Sequence, residues 1–84
     1  MQTYVYKSLR KPETFVYLRE RDVFDVLPEV LATPLGELQF VLEVALGPER
    51  TLAREDAEVV RRNLAAHGFH IQFPPPPASL LDDA

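Results

Sequence analysis

The alternation of hydrophobic and polar residues predicts a β-hairpin at the start of the chain. Residues 3–8 and 14–19 are rich in aromatic and β-branched side chains, which favour strands. Between them, Lys11-Pro12-Glu13 contains a proline that presets a turn. Two short strands around one turn are typical of an antiparallel hairpin. Because the turn spans about five residues, the pattern leaves the register of the hairpin open.

The next segment, residues 22–36, predicts a short helical connection in one or two pieces. Asp22 is placed to cap a helical turn over residues 23–25. Pro28 then suits the start of a second piece, because a proline in the first helical turn lacks only a donor that would stay unpaired. The run 33–36 holds a proline and a glycine and predicts the end of this helix.

Residues 38–46 are the most hydrophobic run of the chain and predict a strand. By alternation, one face of this strand carries Phe40, Leu42, Val44 and Leu46. The opposite face is also partly apolar, and a strand that is apolar on both faces is typical of a central, covered position. A buried helix is the alternative, but the β-branched content and the flanking Gly36 and Gly47 favour a strand.

The last third of the chain predicts a helix followed by a strand. Residues 54–67 carry the clearest helical periodicity, and Gly68 follows as a left-handed C-cap. Its apolar side is formed by Ala57, Val60 and Leu64. Residues 69–73 then alternate as a half-buried strand, which the prolines from Pro74 onward stop. The predicted order is β-β-α-β-α-β, an α+β fold with a small sheet that contains antiparallel strands.

Length and composition indicate one small globular domain. The 84 residues are 46% hydrophobic and 26% charged, which is ordinary for a globular protein. We interpret residues 1–84 as a single domain in which residues 74–84 form a Pro-rich C-terminal extension. A chain of this size buries only about 60–65% of the surface that its unfolded form exposes, so it has little room for an enclosed active site.

The absence of cysteine excludes disulfides, thiolate zinc sites and cysteine nucleophiles. The N-terminus lacks the basic and then apolar layout of a signal peptide. No apolar run approaches the roughly 20 residues that a membrane-spanning helix needs. We therefore predict a cytoplasmic protein with no membrane partner.

Several stretches of this sequence resemble the YcgL family of small bacterial proteins. They are Tyr4-Val5-Tyr6-Lys7-Ser8, the hairpin at 11–18, the helix end at 60–68, and Gln72-Phe73 followed by Pro74 to Pro77 and Leu80-Leu81. The resemblance covers nearly the whole chain, and an aromatic opening strand combined with a polyproline exit is fairly specific. It implies an α/β/α sandwich in a proteobacterial cytosol and implies no biochemical activity.

Two positions depart from the pattern of that family. His70 stands where a tyrosine is common, and Arg54 stands where a capping Asn or Asp is usual. If the predicted helix begins at Arg54, its first turn lacks a side-chain acceptor.

Groups suited to catalysis or metal binding are sparse. His67 and His70 are the only histidines, Gly68 interrupts the helix between them, and no third ligand converges on them. The carboxylates within 22–29 are typical of helix caps and dipole partners. No stretch resembles a nucleophile elbow or a phosphate-binding loop. We therefore predict no catalytic residue, cofactor or metal, and the pattern leans away from an enzyme.

The net charge of −4 hides an asymmetry along the chain. Residues 1–21 hold five cations against two carboxylates, whereas residues 22–84 hold four cations against eleven carboxylates. An acidic chain is a poor general binder of nucleic acid. In the basic segment, however, aromatic side chains alternate with cations, a combination that suits stacking on unpaired bases. The favoured interpretation is nevertheless that these aromatic side chains fill the core, and contact with RNA is the alternative.

Two candidate binding surfaces result, the basic aromatic hairpin and the proline tail. Their residues are Tyr4, Tyr6, Lys7, Arg10, Lys11, Tyr17, Arg19, Pro74, Pro75, Pro76 and Pro77. The favoured hypothesis is a non-enzymatic protein-interaction module that binds a protein partner or a second copy of itself. A polyproline tail suits an aromatic groove on such a partner, although it also suits packing on its own sheet. The alternative is an accessory RNA-binding or RNA-processing factor that contacts single-stranded RNA, and a hydrolase has the least support.

Overall fold

The computed structural model describes residues 1–47, 52 and 55–74. Within these ranges the chain forms a four-stranded antiparallel sheet and two α-helices. The strands are β1 (Gln2–Ser8), β2 (Phe15–Leu18), β3 (Leu38–Ala45) and β4 (Phe69–Gln72), and the helices are α1 (Glu29–Leu35) and α2 (Ala57–His67). A 3-10 helix at Phe24–Val26 precedes α1. The predicted order of elements and the α+β fold are confirmed.

The predicted hairpin is present, and its register is now defined. Tyr4 pairs with Leu18 and Lys7 pairs with Phe15, so β1 and β2 form a regular antiparallel ladder. Ser8 organises the turn: its N–H donates to the Thr14 carbonyl at 3.0 Å, and its Oγ accepts from the Lys11 N–H at 2.9 Å. The same Oγ donates to the carbonyl of Leu35, which ties the turn to the end of α1.

The prediction that residues 38–46 form a central strand is wrong. The strand order is β3-β1-β2-β4, so β3 lies at one edge of the sheet and β1 and β2 lie in the middle. Most side chains of β3 are exposed, in contrast to those of β1 and β2. The apolar residues of β3 therefore do not reflect a covered central position.

A β-bulge in β3 changes which of its side chains share a face. Val5 pairs with Leu42 and Tyr6 pairs with Phe40, so Val41 is an extra residue opposite one position of β1. An extra residue reverses the alternation of side chains beyond it. Phe40 therefore contacts Tyr6 on one face, whereas Val44 packs on the other face. The predicted common face for Phe40, Leu42, Val44 and Leu46 is wrong for this reason.

Two hydrophobic clusters cover the two faces of the sheet. The first combines Val5, Tyr17, Val44 and Leu46 with Val60 and Leu64 of α2. The second combines Tyr6, Val16, Leu18 and Leu27 with Leu35 of α1. Neighbouring residues of β1 and β2 alternate between the clusters, as side chains of a strand do. The two central strands thus contribute to both cores.

The ends of the helices correct two sequence predictions. The long helix begins at Ala57 rather than at residue 54, and its N-cap is Asp56, whose carboxylate accepts from the Glu58 N–H at 2.9 Å. Asp22 does not cap the 3-10 helix, whose N-cap is Val23. Asp22 instead adopts a left-handed φ of 62°. Gly68 ends α2 with a left-handed φ of 83°, as predicted.

Candidate functional site

The hairpin tyrosines are largely buried rather than displayed on a surface. Tyr6 is 1% exposed, and its ring meets Phe24 and Phe40 edge to face at 5.0 and 5.6 Å between ring centroids. Its hydroxyl donates to Asp22 Oδ1 at 2.9 Å and accepts from the Asp22 N–H at 2.8 Å. Burial is the main cause that raises the pKa of Tyr6. This side chain anchors the chain after β2 and is not available to stack on a ligand.

Tyr17 fills the other cluster in a similar way. It is 7% exposed, and its hydroxyl donates to Gln72 Oε1 of β4 at 2.7 Å. Burial raises the pKa of Tyr17, and the nearby charge of Glu55 raises it further. Its ring lies 5.6 Å from the His70 ring, edge to face. Of the three tyrosines of the hairpin, only Tyr4 is half-exposed, and it packs against the second cluster.

The predicted cations of the hairpin are exposed, but the structure does not bring them together. Lys7 and Lys11 lie at the turn end of β1. Arg10 reaches from the same turn to the carbonyl of Thr33, at 3.2 Å. Arg19 lies at the opposite end of β2 and donates to the carbonyl of Ala65 near the end of α2, at 3.4 Å. The cations thus belong to two separate regions.

The predicted tail lies mostly outside the described residues. Pro74 is exposed and directly follows Phe73, which is also exposed. Pro75, Pro76 and Pro77 fall in the range that the structure does not describe, so their role as a docking segment stays a prediction.

A polar cluster that the sequence did not reveal lies between α2 and β4. His70 Nε2 is 3.3 Å from Glu55 Oε1, and His70 Nδ1 is 2.9 Å from Asn63 Nδ2. Because Glu55 and His70 are 15 residues apart in the chain, local patterns gave no sign of this contact. All these groups have partners within the protein, so the cluster fastens α2 to β4.

Catalytic geometry is not found in the described part of the chain. Ser8 Oγ donates to Leu35, accepts from the turn, and contacts neither histidine. Residues 1–47, 52 and 55–74 contain no group of three His, Cys, Asp or Glu side chains that could hold a metal ion.

The most distinctive surface is the outer edge of β3. Phe40, Val41 and Leu42 are consecutive apolar residues that are 36%, 41% and 45% exposed. Arg21 lies beside them, with its guanidinium carbon 4.2 Å from the centre of the Phe40 ring, a cation–π contact. We call these four residues, together with Glu43, the β3 edge surface. This surface cannot be recognised from the sequence, because a run of apolar residues looks the same in a central strand and in an exposed edge strand.

Comparison with known proteins places this fold in a family. A family model for the YcgL domain matches residues 3–75. The chain belongs to the YcgL domain family. A YcgL domain-containing protein of Thioalkalivibrio sulfidiphilus is 53% identical over 75 residues, which cover 89% of this chain and 93% of that protein. The predicted resemblance is confirmed.

Two further relatives support the same assignment. A YcgL domain-containing protein of Xanthomonas campestris is 55% identical over 74 residues, which cover 88% of this chain and 86% of the relative. One of Stenotrophomonas maltophilia is 51% identical over 81 residues, which cover 96% of this chain and 94% of the relative. In the YcgL domain described here, none of the helices within the described ranges is long and apolar enough to cross a membrane.

Proposed function

We propose that this YcgL domain is a non-enzymatic protein-interaction module whose contact surface is the β3 edge surface. The observation that carries the proposal is the exposure of three consecutive apolar side chains, Phe40, Val41 and Leu42, on an edge strand. An edge strand presents backbone N–H and C=O groups that can pair with another strand. Contiguous exposed apolar side chains beside such groups are typical of protein-binding sites.

The geometry favours a partner that binds as an extended strand. Strand addition gains affinity from backbone hydrogen bonds and specificity from alternate side chains. β3 is eight residues long and pairs with β1 alone among the described strands, which leaves its other side for such a partner. This proposal keeps the predicted class of function. It moves the proposed contact surface from the hairpin and the tail to the outer edge of β3, which pairs with β1 on the side away from β2.

Single-stranded RNA remains the alternative, with less support from the side-chain positions. Base stacking needs exposed rings, and Tyr6 and Tyr17 are buried. Arg19 is held at the far end of the hairpin from Lys7 and Lys11. The described residues therefore favour a protein partner over RNA.

The proposal is tested by comparing two substitutions that each replace an exposed apolar residue with lysine. Leu42→Lys changes the β3 edge surface, and Val30→Lys changes α1, where Val30 is 77% exposed. We expect the wild-type domain and the Val30→Lys variant to retain the same bound protein from a bacterial lysate, and Leu42→Lys to lose it. Circular dichroism confirms that both variants are folded.

Equal capture by all three proteins would contradict this surface. Binding of single-stranded RNA at low salt, lost when Lys7, Arg10 and Lys11 are replaced by alanine, would instead favour the alternative.

A further inference from the structure

We infer that the partner of the β3 edge surface is the same surface of a second copy, so that two β3 strands pair antiparallel about a two-fold axis. This inference rests on the proposed function and names its partner. A two-fold interface brings one patch against itself, so each contact occurs twice.

The pairing of β1 with β3 defines which backbone groups of β3 point outward. Met1 and Leu46 exchange hydrogen bonds in both directions at 2.7 Å, and the Leu9 N–H donates to the Glu37 carbonyl at 3.0 Å. Hydrogen-bonded and non-bonded pairs alternate along an antiparallel ladder. Counting inward from both ends along the paired residues of β1 and β3, the backbone groups directed away from β1 are those of Leu38, Phe40, Glu43 and Ala45.

The bulge at Val41 selects one register between two copies. If one bulge faced a regular stretch of the other strand, the residues on its two sides would fall out of step. When the two bulges face each other, Phe40 lies opposite Glu43 of the second copy and Leu38 lies opposite its Ala45. All four of these residues have outward-directed backbone groups, so each opposed pair can exchange two hydrogen bonds.

In this register the one charged side chain of β3, Glu43, gains a partner of opposite charge. Glu43 is the only charged residue of Leu38–Ala45, and a charge on an edge strand usually discourages pairing. Against a second copy, its carboxylate lies opposite Phe40, where the Arg21 guanidinium already sits over the ring. Directly opposed side chains have Cβ atoms about 4.5–5.5 Å apart, within reach of an ion pair. Two symmetric Arg21–Glu43 contacts result.

The existing partners of these two charges do not prevent the contact. Arg21 Nε is 3.9 Å from Asp22 Oδ2 with both side chains more than half exposed, which makes that ion pair weak. Glu43 accepts a hydrogen bond from the Gln2 side chain, and a carboxylate has capacity for further donors. The positions of Arg21 and Glu43 favour a second copy as the partner. A strand of unrelated sequence would not in general place a cation beside Glu43.

The apolar residues supply the remaining stabilisation. Val41 and Leu42 of both copies meet at the two-fold axis, where their burial favours association. A pair of edge strands buries less than the roughly 800 Å² per partner of a standard interface. We therefore expect a reversible dimer with a Kd on the order of micromolar.

Analytical ultracentrifugation of the full chain, over a broad concentration series, tests the inference by charge reversal. We expect Arg21→Glu and Glu43→Arg to weaken the dimer about tenfold each, and the double variant to restore most of the affinity. Arg62→Glu, which makes the same charge change on the exposed side of α2, is the matched control and should leave the Kd unchanged. The inference would be overturned if neither charge reversal changed the Kd of the dimer, or if the double variant did not regain affinity.

A backbone variant checks the strand pairing independently of charge. Ala45→Pro removes an outward N–H while leaving the donors that bond to β1, so it should abolish the dimer and preserve the circular dichroism spectrum. A chain that stays monomeric at every concentration refutes the second copy as partner. In that case, the proposed function survives if the wild-type domain captures a lysate protein that Leu42→Lys does not. If Leu42→Lys captures the same proteins as the wild type, the proposed function fails as well.

Discussion

The two edges of the sheet differ in how they are covered. β4 has four residues, its side chains are buried or half-buried, and α2 is fastened to it through His70, Glu55 and Asn63. β3 has eight residues, and its side chains from Gln39 to Glu43 are exposed. Proteins commonly protect edge strands by keeping them short or by covering them. β4 shows both forms of protection.

We propose that this difference marks the open edge as the one that meets a partner. An exposed, long and apolar edge is a liability unless it has a partner. The bulge and Glu43 are features of β3 that oppose indiscriminate pairing, and we propose that both become complementary against a second copy. On this proposal the covered edge contributes stability, whereas the open edge contributes binding.

The same truncation should have very different consequences at the two edges. Leu64 on α2 is fully buried against the first cluster, so Leu64→Ala should lower the free energy of unfolding by about 2–5 kcal/mol. Leu42 is 45% exposed, and Leu42→Ala should lower it by less than about 1 kcal/mol. Urea unfolding of the monomer measures both. Similar losses for the two variants would show that β3 is covered after all.

Removing a hydrogen bond should also lower the free energy of unfolding more at the covered edge than at the β3 edge, although both effects should be smaller. Gln72→Leu leaves the buried Tyr17 hydroxyl without its acceptor, which should lower the free energy of unfolding by about 1–3 kcal/mol. Gln2→Leu removes an exposed contact to Glu43 that water can replace, so its effect should lie within about 0.5 kcal/mol. Both values come from denaturant unfolding at one pH. An equal loss for Gln2→Leu would contradict the exposed character of the β3 edge.

The smallest predicted effect is an alkaline pH dependence that belongs to the covered edge. The folded-state pKa of Tyr17 lies above its usual value of 10.0, first because of burial and then because of Glu55. As the pH rises past 10.0, the unfolded chain loses the Tyr17 proton before the folded chain does. The free energy of unfolding should therefore fall with increasing pH, and Tyr17→Phe should fall less steeply.

Two measurements check this assignment. Glu55→Gln removes the negative charge and should lower the pKa of Tyr17, which tyrosinate absorbance reports. Because the pKa of Tyr6 is raised as well, Tyr6→Phe provides the reference for the part of the slope that belongs to Tyr6. If Tyr17→Phe unfolds with the same pH slope as the wild type, Tyr17 is not the titrating group.

The features of the fold that sequence predicted are those with a local cause. The hairpin follows from two β-rich runs around a proline turn, and the end of α2 follows from Gly68 at the close of a helical period. α2 begins at Ala57 rather than at residue 54, because the side chain of Asp56 accepts a hydrogen bond from the first turn and so caps the helix there. Such boundaries move by a few residues without changing the fold.

The features that sequence did not predict depend on contacts distant in the chain. β3 lies at an edge because β1 pairs with β2 and β2 pairs with β4. The amino-acid composition of β3 does not reveal these pairings. The contact of Arg21 with Phe40 and that of Glu55 with His70 arise only after the sheet has formed. For the candidate site, the sequence predicted the hairpin tyrosines as contact residues, and the burial of Tyr6 and Tyr17 moves the proposed contact surface to β3.

The bulge at Val41 has a further consequence for how the length of this chain can change. Val41 is the extra residue in the pairing with β1, so the ladder on either side would remain in step without it. A chain shortened by this one residue keeps Phe40 opposite Tyr6 and Leu42 opposite Val5, with both cores intact. We therefore expect deletion of Val41 to leave the fold in place and to change only the shape of its open edge.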